Sequence, residues 1–441
     1  MHPTSLPQGT LDEHALRWLD FLAQAGISVW QTLPLGVPQA GRSPYQCDSA
    51  FALNPSLLPC GEASTIDVDD FRNWQQQQQF WLHDYAQFAV LKKHFENTPW
   101  YTWPSAYKDR EPDALAAFSQ TNADALLAIQ YEQYRLHTRW QAVRLAARER
   151  GIYLFGDVPI FVAHDSADVW ARRHEFLLDD AGQPTVVAGV PPDYFSETGQ
   201  RWGNPHYHWT VHQASGFDWW QHRLAAQFDG FDIVRIDHFR GLEAVWEIQR
   251  DCDTAIEGRW QKVPGAALLD TLSERFDRLP LVAEDLGIIT PKVVALRHQF
   301  KLPGMAVLQF SFDHFDDNPH KPKNIPQDCV VYTGTHDNDT SVGWFETLDN
   351  DMQAHVLDVL ARKDAGAQQV AEALIMQALH SRANLAVVPL QDLLGLGSDA
   401  RMNVPGTASD NWLWQYTPEQ LTPTLAHTLR MKVSDTGRLR T

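Results

Sequence analysis

Short apolar runs that end on an ionisable group recur along this chain, and that repeat restricts the fold more than any other feature. The clearest is "DGFDIVRIDHFRG", Asp229 to Gly241. Side chains alternate between the two faces of a strand, so Phe231, Ile233, Arg235 and Asp237 share one face while Asp232, Val234 and Ile236 share the other. The first half suits a buried strand and only the far end turns polar, which is the pattern of a site built at the mouth of a barrel. Similar runs are "GIYLFGDVPIFV", "LPLVAEDLG", "GMAVLQFSFD", "CVVYTGTHDND" and "NLAVVPLQDLLGLG". With "HPTSL" and "WQTLPL" they make eight strands, mostly separated by helical periodicity, and the expected fold is an α/β (β/α)8 barrel with helical and loop insertions. An open doubly wound sheet is the alternative, but no strand is followed by G-x-G-x-x-G.

The barrel is expected to occupy 1–441. A mainly helical insertion interrupts it at 59–150, and a lid or substrate-loop insertion at about 165–222. "TLDEHALRWLDFLAQAG" predicts a helix capped by Thr10 with Glu13 completing a capping box, and stopped by Gly26. Five glutamines, Gln75 to Gln79, fit a solvated helix face.

Composition narrows the partners. Against 36 basic side chains stand 55 acidic ones, a net charge of −19 over 441 residues, which opposes nucleic acid and anionic membranes alike. Four scattered cysteines without a C-x-x-C pair indicate neither a zinc site nor a disulfide framework. The start "MHPTSLPQGT" has no basic region followed by an apolar run, and no stretch of about 20 apolar residues occurs, so a cytoplasmic location is expected. Of the 17 tryptophans, several sit in polar loops such as "GQRWGNPHYHW". Most tryptophans are core residues, but a flat ring in a polar loop offers a platform for the C–H face of a sugar.

Asp157, Asp237, Glu284 and Asp337 each end a strand, and the C-terminal ends of barrel strands converge on one rim. Asp237 and Glu284 are 47 residues apart and Glu284 and Asp337 are 53 apart, compatible with roughly 30 residues per βα unit. Alone, any of these acids reads more plainly as a salt bridge or helix cap, and a Ca²⁺ or Mg²⁺ site is a second reading that no D-x-D-x-D-G loop supports. Gathered carboxylates repel, an arrangement suited to chemistry in which one is protonated while another stays charged. Retaining glycoside cleavage has that requirement. Arg235 would hold Asp237 ionised as nucleophile, Glu284 between Val282, Ala283 and a turn would be the general acid, and His336 and Asp337 could bind sugar hydroxyls and distort the ring.

"HPTSLP", "WQTLPLG", "SPYQCDSAFALNP", "GDVPIFV", "GVPPDYFSETGQRWGNPHY", "VRIDHFRG", "AEDLG", "YTGTHDND" and "ARMNVPGT" together resemble, in order, the 4-α-glucanotransferases called amylomaltases or disproportionating enzymes, relatives of the α-amylase superfamily with an interrupted (β/α)8 barrel. The resemblance spans nearly the whole chain. It implies Asp237 as nucleophile, Glu284 as acid/base and Asp337 as transition-state stabiliser. It also implies sugar contacts from Ser43, Tyr45, Asp157, Arg235, His336 and Asn403, with Gln200 and Trp202 on a mobile loop over the cleft, and no organic cofactor or catalytic metal.

The implied substrates are maltooligosaccharides and α-1,4-glucans as donors, with glucose or a maltooligosaccharide as acceptor. Two features depart from the family pattern: only Met1 precedes "HPTSLP", which bears on how the first strand closes the ring, and "QGTLDEHA" replaces a glycine-rich form, so that stability rather than chemistry is affected. Transfer is expected over α-amylase-type hydrolysis because "SETGQRWGNP" could cover the acceptor and exclude water. A non-catalytic glucan binder predicts loss of a carboxylate, and all three are present.

Overall fold

The computed structural model describes residues 1–61, 67–192, 196–407 and 409–440. The 193–195 part of the "GVPPDYFSETGQRWGNPHY" motif lies outside the described residues, as does the 62–66 part of the helical stretch. Among the described residues eleven strands follow in chain order: β1 Val29–Gln31, β2 Tyr153–Pro159, β3 Val186–Val190, β4 Gln200–Pro205, β5 Ile233–Asp237, β6 Ala244–Gln249, β7 Gly258–Lys262, β8 Leu281–Ala283, β9 Gly304–Val307, β10 Cys329–Tyr332 and β11 Leu385–Val387.

Seven of these are the apolar runs singled out in the sequence. They form two all-parallel sheets, β1-β2-β5-β8 and β9-β10-β11, in an α/β fold. The sheets are stitched where they meet: the Ala283 N–H donates to the Pro303 carbonyl at 2.8 Å, and the Met305 N–H donates to the Asp285 carboxylate at 2.7 Å. Val29, Phe155, Ile233, Val282, Met305, Val307, Val330, Tyr332, Leu385 and Val387, from all seven strands, share one apolar cluster. Helices such as Gly265–Arg275 and Pro291–Gln299 connect successive strands, while β9 and β10 are joined through a 3-10 turn, Leu308–Phe310.

The eighth expected strand is not one. "HPTSL" folds as a 3-10 turn, Pro3–Ser5, followed by a second at Pro7–Gly9. Prolines at 3 and 7 fix φ and lack the N–H that a ladder requires, so the segment turns on itself, with the Ser5 N–H donating to the His2 carbonyl at 2.9 Å. Met1 still reaches β1, donating to the Gln31 carbonyl at 2.8 Å and accepting from the Trp30 indole at 2.7 Å.

The first helix, Glu13–Gln24, is capped by Asp12 rather than Thr10: the Asp12 carboxylate accepts the His14 N–H, and Thr10 donates to Asp12. An aspartate two residues nearer the helix offers the better-placed acceptor. Gly26 ends the helix at φ +72°. Helices Val68–Gln77, Leu82–His94, Pro112–Thr121 and Ala123–Glu149 fill the region between β1 and β2. Trp18, Trp30 and Trp140 meet edge to face with centroids 6.2 Å apart, joining the first helix, β1 and the long helix. Each such ring removes about 150–250 Å² from water, roughly 4–6 kcal/mol of transfer free energy at about 25 cal/mol per Å².

A third sheet, β4-β3-β6-β7, is antiparallel. Gln200 and Trp202, expected on a loop, lie in its strand β4. Gly199 and Gly203, at φ +67° and +81°, supply left-handed backbone at its entry and middle.

Candidate active site

Parallel register sets the heights of the polar groups. Phe155 pairs with Ile233, Asp157 with Arg235 and Pro159 with Asp237, while Arg235 pairs with Val282 and Ile236 with Ala283. Phe155, Ile233 and Val282 point into the shared apolar cluster, so alternation carries Asp157, Arg235, Asp237 and Glu284 to the same inner face one or two steps further on. Gly156 is required for this: a Cβ there would lie 2.5 Å from the Phe231 ring.

Arg235, 5% exposed, forks between two carboxylates, reaching Asp157 at 2.6 Å and Asp237 at 2.8 Å. The Tyr45 hydroxyl donates to Asp157 at 2.7 Å. Burial pushes the Asp157 carboxyl up to about 6, with Arg235 opposing and Asp237 adding to the rise. Burial acts on Arg235 in the other direction, but Asp157 and Asp237 outweigh it and hold the guanidinium charged. Burial and the Asp157 charge lift the Tyr45 phenol well above its ordinary value, so it remains a donor.

Glu284 follows Ala283, the register partner of Ile236, as Asp237 follows Ile236. Its N–H donates to the Ile236 carbonyl at 3.0 Å, and its carbonyl accepts the Phe239 N–H at 3.1 Å. Its carboxylate accepts the N–H groups of His238 at 2.7 Å and Leu286 at 3.0 Å. His238 takes φ +53°, a left-handed conformation uncommon outside glycine, and the turn so formed aims its N–H at Glu284. Burial pushes the Glu284 carboxyl up to about 7; Asp237 adds to the rise, while Arg235 and the Leu286 N–H oppose it. Two acids on adjacent strands therefore differ in surroundings: one is ion-paired, the other desolvated.

Asp337 follows β10. Burial would raise its carboxyl, but His336, the Asn403 amide and Arg235 together hold it well below the carboxylate range. Asn403 donates to it at 2.5 Å and His336 stands 3.3 Å away. Half of the Asp337 side chain, 49%, is exposed, so water screens part of this effect. Burial lowers the His336 imidazole and Asp337 raises it, the net direction being upward. The His336 ring stacks on Tyr45 with centroids 5.2 Å apart, which connects Asp337 to the Asp157–Arg235–Asp237 group.

The sequence profile of the 4-alpha-glucanotransferase family matches residues 1–64 and 60–422. The chain is 44% identical to the 4-alpha-glucanotransferase of Thermus thermophilus, with 100% of this chain and 98% of that protein covered. It is 39% identical to that of Aquifex aeolicus, with 94% of each covered. The amylomaltase from Streptococcus agalactiae in complex with acarbose superposes with a TM-score of 0.94 at 32% identity, covering 100% of this chain and 99% of that one. The chain belongs to the 4-alpha-glucanotransferase family.

The remaining expected contacts lie around the same group. Ser43 opens the turn that presents Tyr45, its hydroxyl accepting the Tyr45 N–H at 3.3 Å. Trp202 meets His238 edge to face at 4.9 Å and donates its indole N–H to Gln200 at 3.1 Å, which places both beside the residue that follows Asp237. A cavity of about 390 Å³ counts Tyr45, Asp157, Phe51 and Trp81 among its lining residues. Three participants were not anticipated. His238 acts through its backbone N–H, which carries no residue-type signal. Arg401 donates to the Asp337 carbonyl at 2.7 Å and to that of Asn403 at 2.8 Å, and its place in "ARMNVPGT" could have suggested it. Trp412 packs against Tyr45 and His336.

Proposed function

We propose that this chain cleaves α-1,4-glucans and transfers the glycosyl unit to the 4-hydroxyl of a glucose or maltooligosaccharide acceptor, with retention, through a glycosyl ester on Asp237. One observation carries the assignment of roles: Glu284, buried and lifted to about 7, is pinned by the N–H next to Asp237, while Asp237 faces a guanidinium. In the first step an Asp237 oxygen attacks the anomeric carbon as the Glu284 proton passes to the glycosidic oxygen; that C–O bond breaks and the reducing-end fragment leaves. In the second, Glu284 as carboxylate takes the proton of the acceptor hydroxyl, whose oxygen displaces Asp237. Asp337 stabilises the oxocarbenium-like transition state. Ser43, Tyr45, Asp157, Arg235, His336 and Asn403 hold the sugar, and Gln200 and Trp202 cover the acceptor side.

The finer architecture belongs to the same proposal. The two parallel sheets form one closed (β/α)8 ring, interrupted at 59–150 and at about 165–222. The common apolar cluster and the Ala283 and Asp285 stitches support closure at β8 and β9. The Met1 contacts to β1 support a role for the amino-terminal turn, in lieu of a regular strand, in closing the opposite seam.

Transfer and hydrolysis share the first step and differ in what attacks the intermediate. Incubation with maltotriose should yield glucose together with a ladder of longer maltooligosaccharides; maltose and glucose alone would leave only the α-glucan hydrolase reading. A pH profile provides a second check. Because the first step uses protonated Glu284, kcat/KM should fall about tenfold per pH unit above about 7. A raised carboxyl pKa also means that the folded state holds this proton more tightly than the unfolded state. Its stabilisation is complete below the ordinary value of 4.5 and is lost as pH rises through about 7. Glu284→Gln should flatten that part of the stability curve, and an unchanged slope would remove Glu284 from the role.

A further inference from the structure

Trp412 is a bulky residue held at φ +65°, two positions after Asp410 at φ +63°. Left-handed backbone at a large side chain is an outlier, at about 1–3 kcal/mol each, and persists where its surroundings over-determine it. The surroundings do so here. The Trp412 N–H donates to the Met402 carbonyl at 2.7 Å, the Asn411 side chain accepts the Val404 N–H at 2.8 Å and donates to Thr407, and Asn403 and Arg401 of the same segment bond to Asp337.

The result is an indole delivered to two rings. Its centroid lies 6.1 Å from Tyr45 and 5.7 Å from His336, and these two stack on each other at 19°. Trp412 is absent from the apolar clusters of the core, so core packing does not account for its placement. Tyr45 is anchored through its hydroxyl to Asp157 and His336 leans on Asp337, yet neither bond fixes the tilt of its ring. A third ring against both removes that freedom.

We propose that Trp412 is a positioning residue for α-glucan binding: its strained backbone holds the indole against Tyr45 and His336 and sets the orientation in which those two rings meet the sugar. This deepens the transferase reading and rests on it for the identity of the ligand. Trp412→Gly is the informative truncation, because glycine adopts the left-handed backbone without strain while the side chain is removed. Trp412→Phe restores a flat ring.

Affinity for acarbose and for maltotetraose would be measured by calorimetry, alongside maltotriose turnover and thermal melting. The expected result is a loss of about thirtyfold in sugar affinity for Trp412→Gly, a retained cooperative melt, and recovery to within about threefold in Trp412→Phe. If Trp412→Gly fails to fold, Trp412→Leu, which keeps apolar bulk without a flat ring, takes its place with the same expected loss. Truncated protein that binds like the wild type overturns the inference, as does a phenylalanine variant no better than the truncation. Wild-type protein that binds these sugars but does not transfer them overturns the transferase reading alone, since the binding comparison still reads the indole.

Discussion

Asp237→Asn is expected to slow maltotriose disproportionation by about four orders of magnitude or more, the scale seen when a covalent nucleophile is removed, while maltotetraose remains bound. The amide has the shape of the carboxylate and retains one oxygen towards Arg235, so the 2.8 Å contact keeps an acceptor. What it lacks is an electron pair able to attack the anomeric carbon and leave again as a carboxylate. There is a second consequence at Glu284. The Asp237 charge is one of the groups that raise the Glu284 carboxyl, so removing it should move that group down from about 7, though burial continues to lift it. Rapid-quench assay of glucose release and calorimetric titration with maltotetraose test both halves. Activity within tenfold of wild type would mean that another group attacks. Lost binding would mean that Asp237 holds the sugar rather than reacting with it.

Much of this site could be read from the chain because strand alternation is a strict rule. Once "FDIVRID" is a strand, Arg235 and Asp237 must share a face, and the same counting puts Phe155 with Asp157 and Val282 with Glu284. That Asp237 and Glu284 each lie one residue past the paired Ile236 and Ala283 follows from register, which depends on which strands are neighbours. Sequence spacing constrained that without fixing it.

Where the fold departs from the sequence pattern, local chemistry is the cause. Pro3 and Pro7 withdrew backbone donors from the supposed first strand. The residues around Trp202 looked like loop because glycine flanks the tryptophan on both sides, yet both glycines supply backbone turns within and beside strand β4. Strand β7 was not recognised, since it is exposed along its whole length and shows no buried face to betray a strand. The roles of His238 and Trp412 depend on positive φ angles at non-glycine residues, for which sequence offers almost no sign.

Arg235→Met should produce the largest loss of stability of any single change at the site. The guanidinium is buried and directly neutralises Asp157, whose residue is 2% exposed, and Asp237. Breaking a buried pair by deleting one partner leaves an uncompensated charge and costs about 3–5 kcal/mol. Methionine fills similar volume, so a cavity contributes little to that loss. The penalty should depend on pH in a defined direction. Burial already lifts Asp157 to about 6 while Arg235 opposes the rise; without Arg235 the carboxyl climbs further. A carboxyl whose folded value exceeds its unfolded one stabilises most below the unfolded value, and that contribution is lost as pH rises through the folded value. The deficit of Arg235→Met relative to wild type should therefore be larger at pH 8 than at pH 5. Adding Asp157→Asn should recover much of the loss, because the two changes remove both charges and leave an amide that Tyr45 can still bond. Urea denaturation of the wild type, both single variants and the double variant at the two pH values completes the cycle. A deficit under about 1 kcal/mol at pH 8, or additive effects of the two changes, would mean that Arg235 and Asp157 are not the coupled pair on which the electrostatics of this site depend.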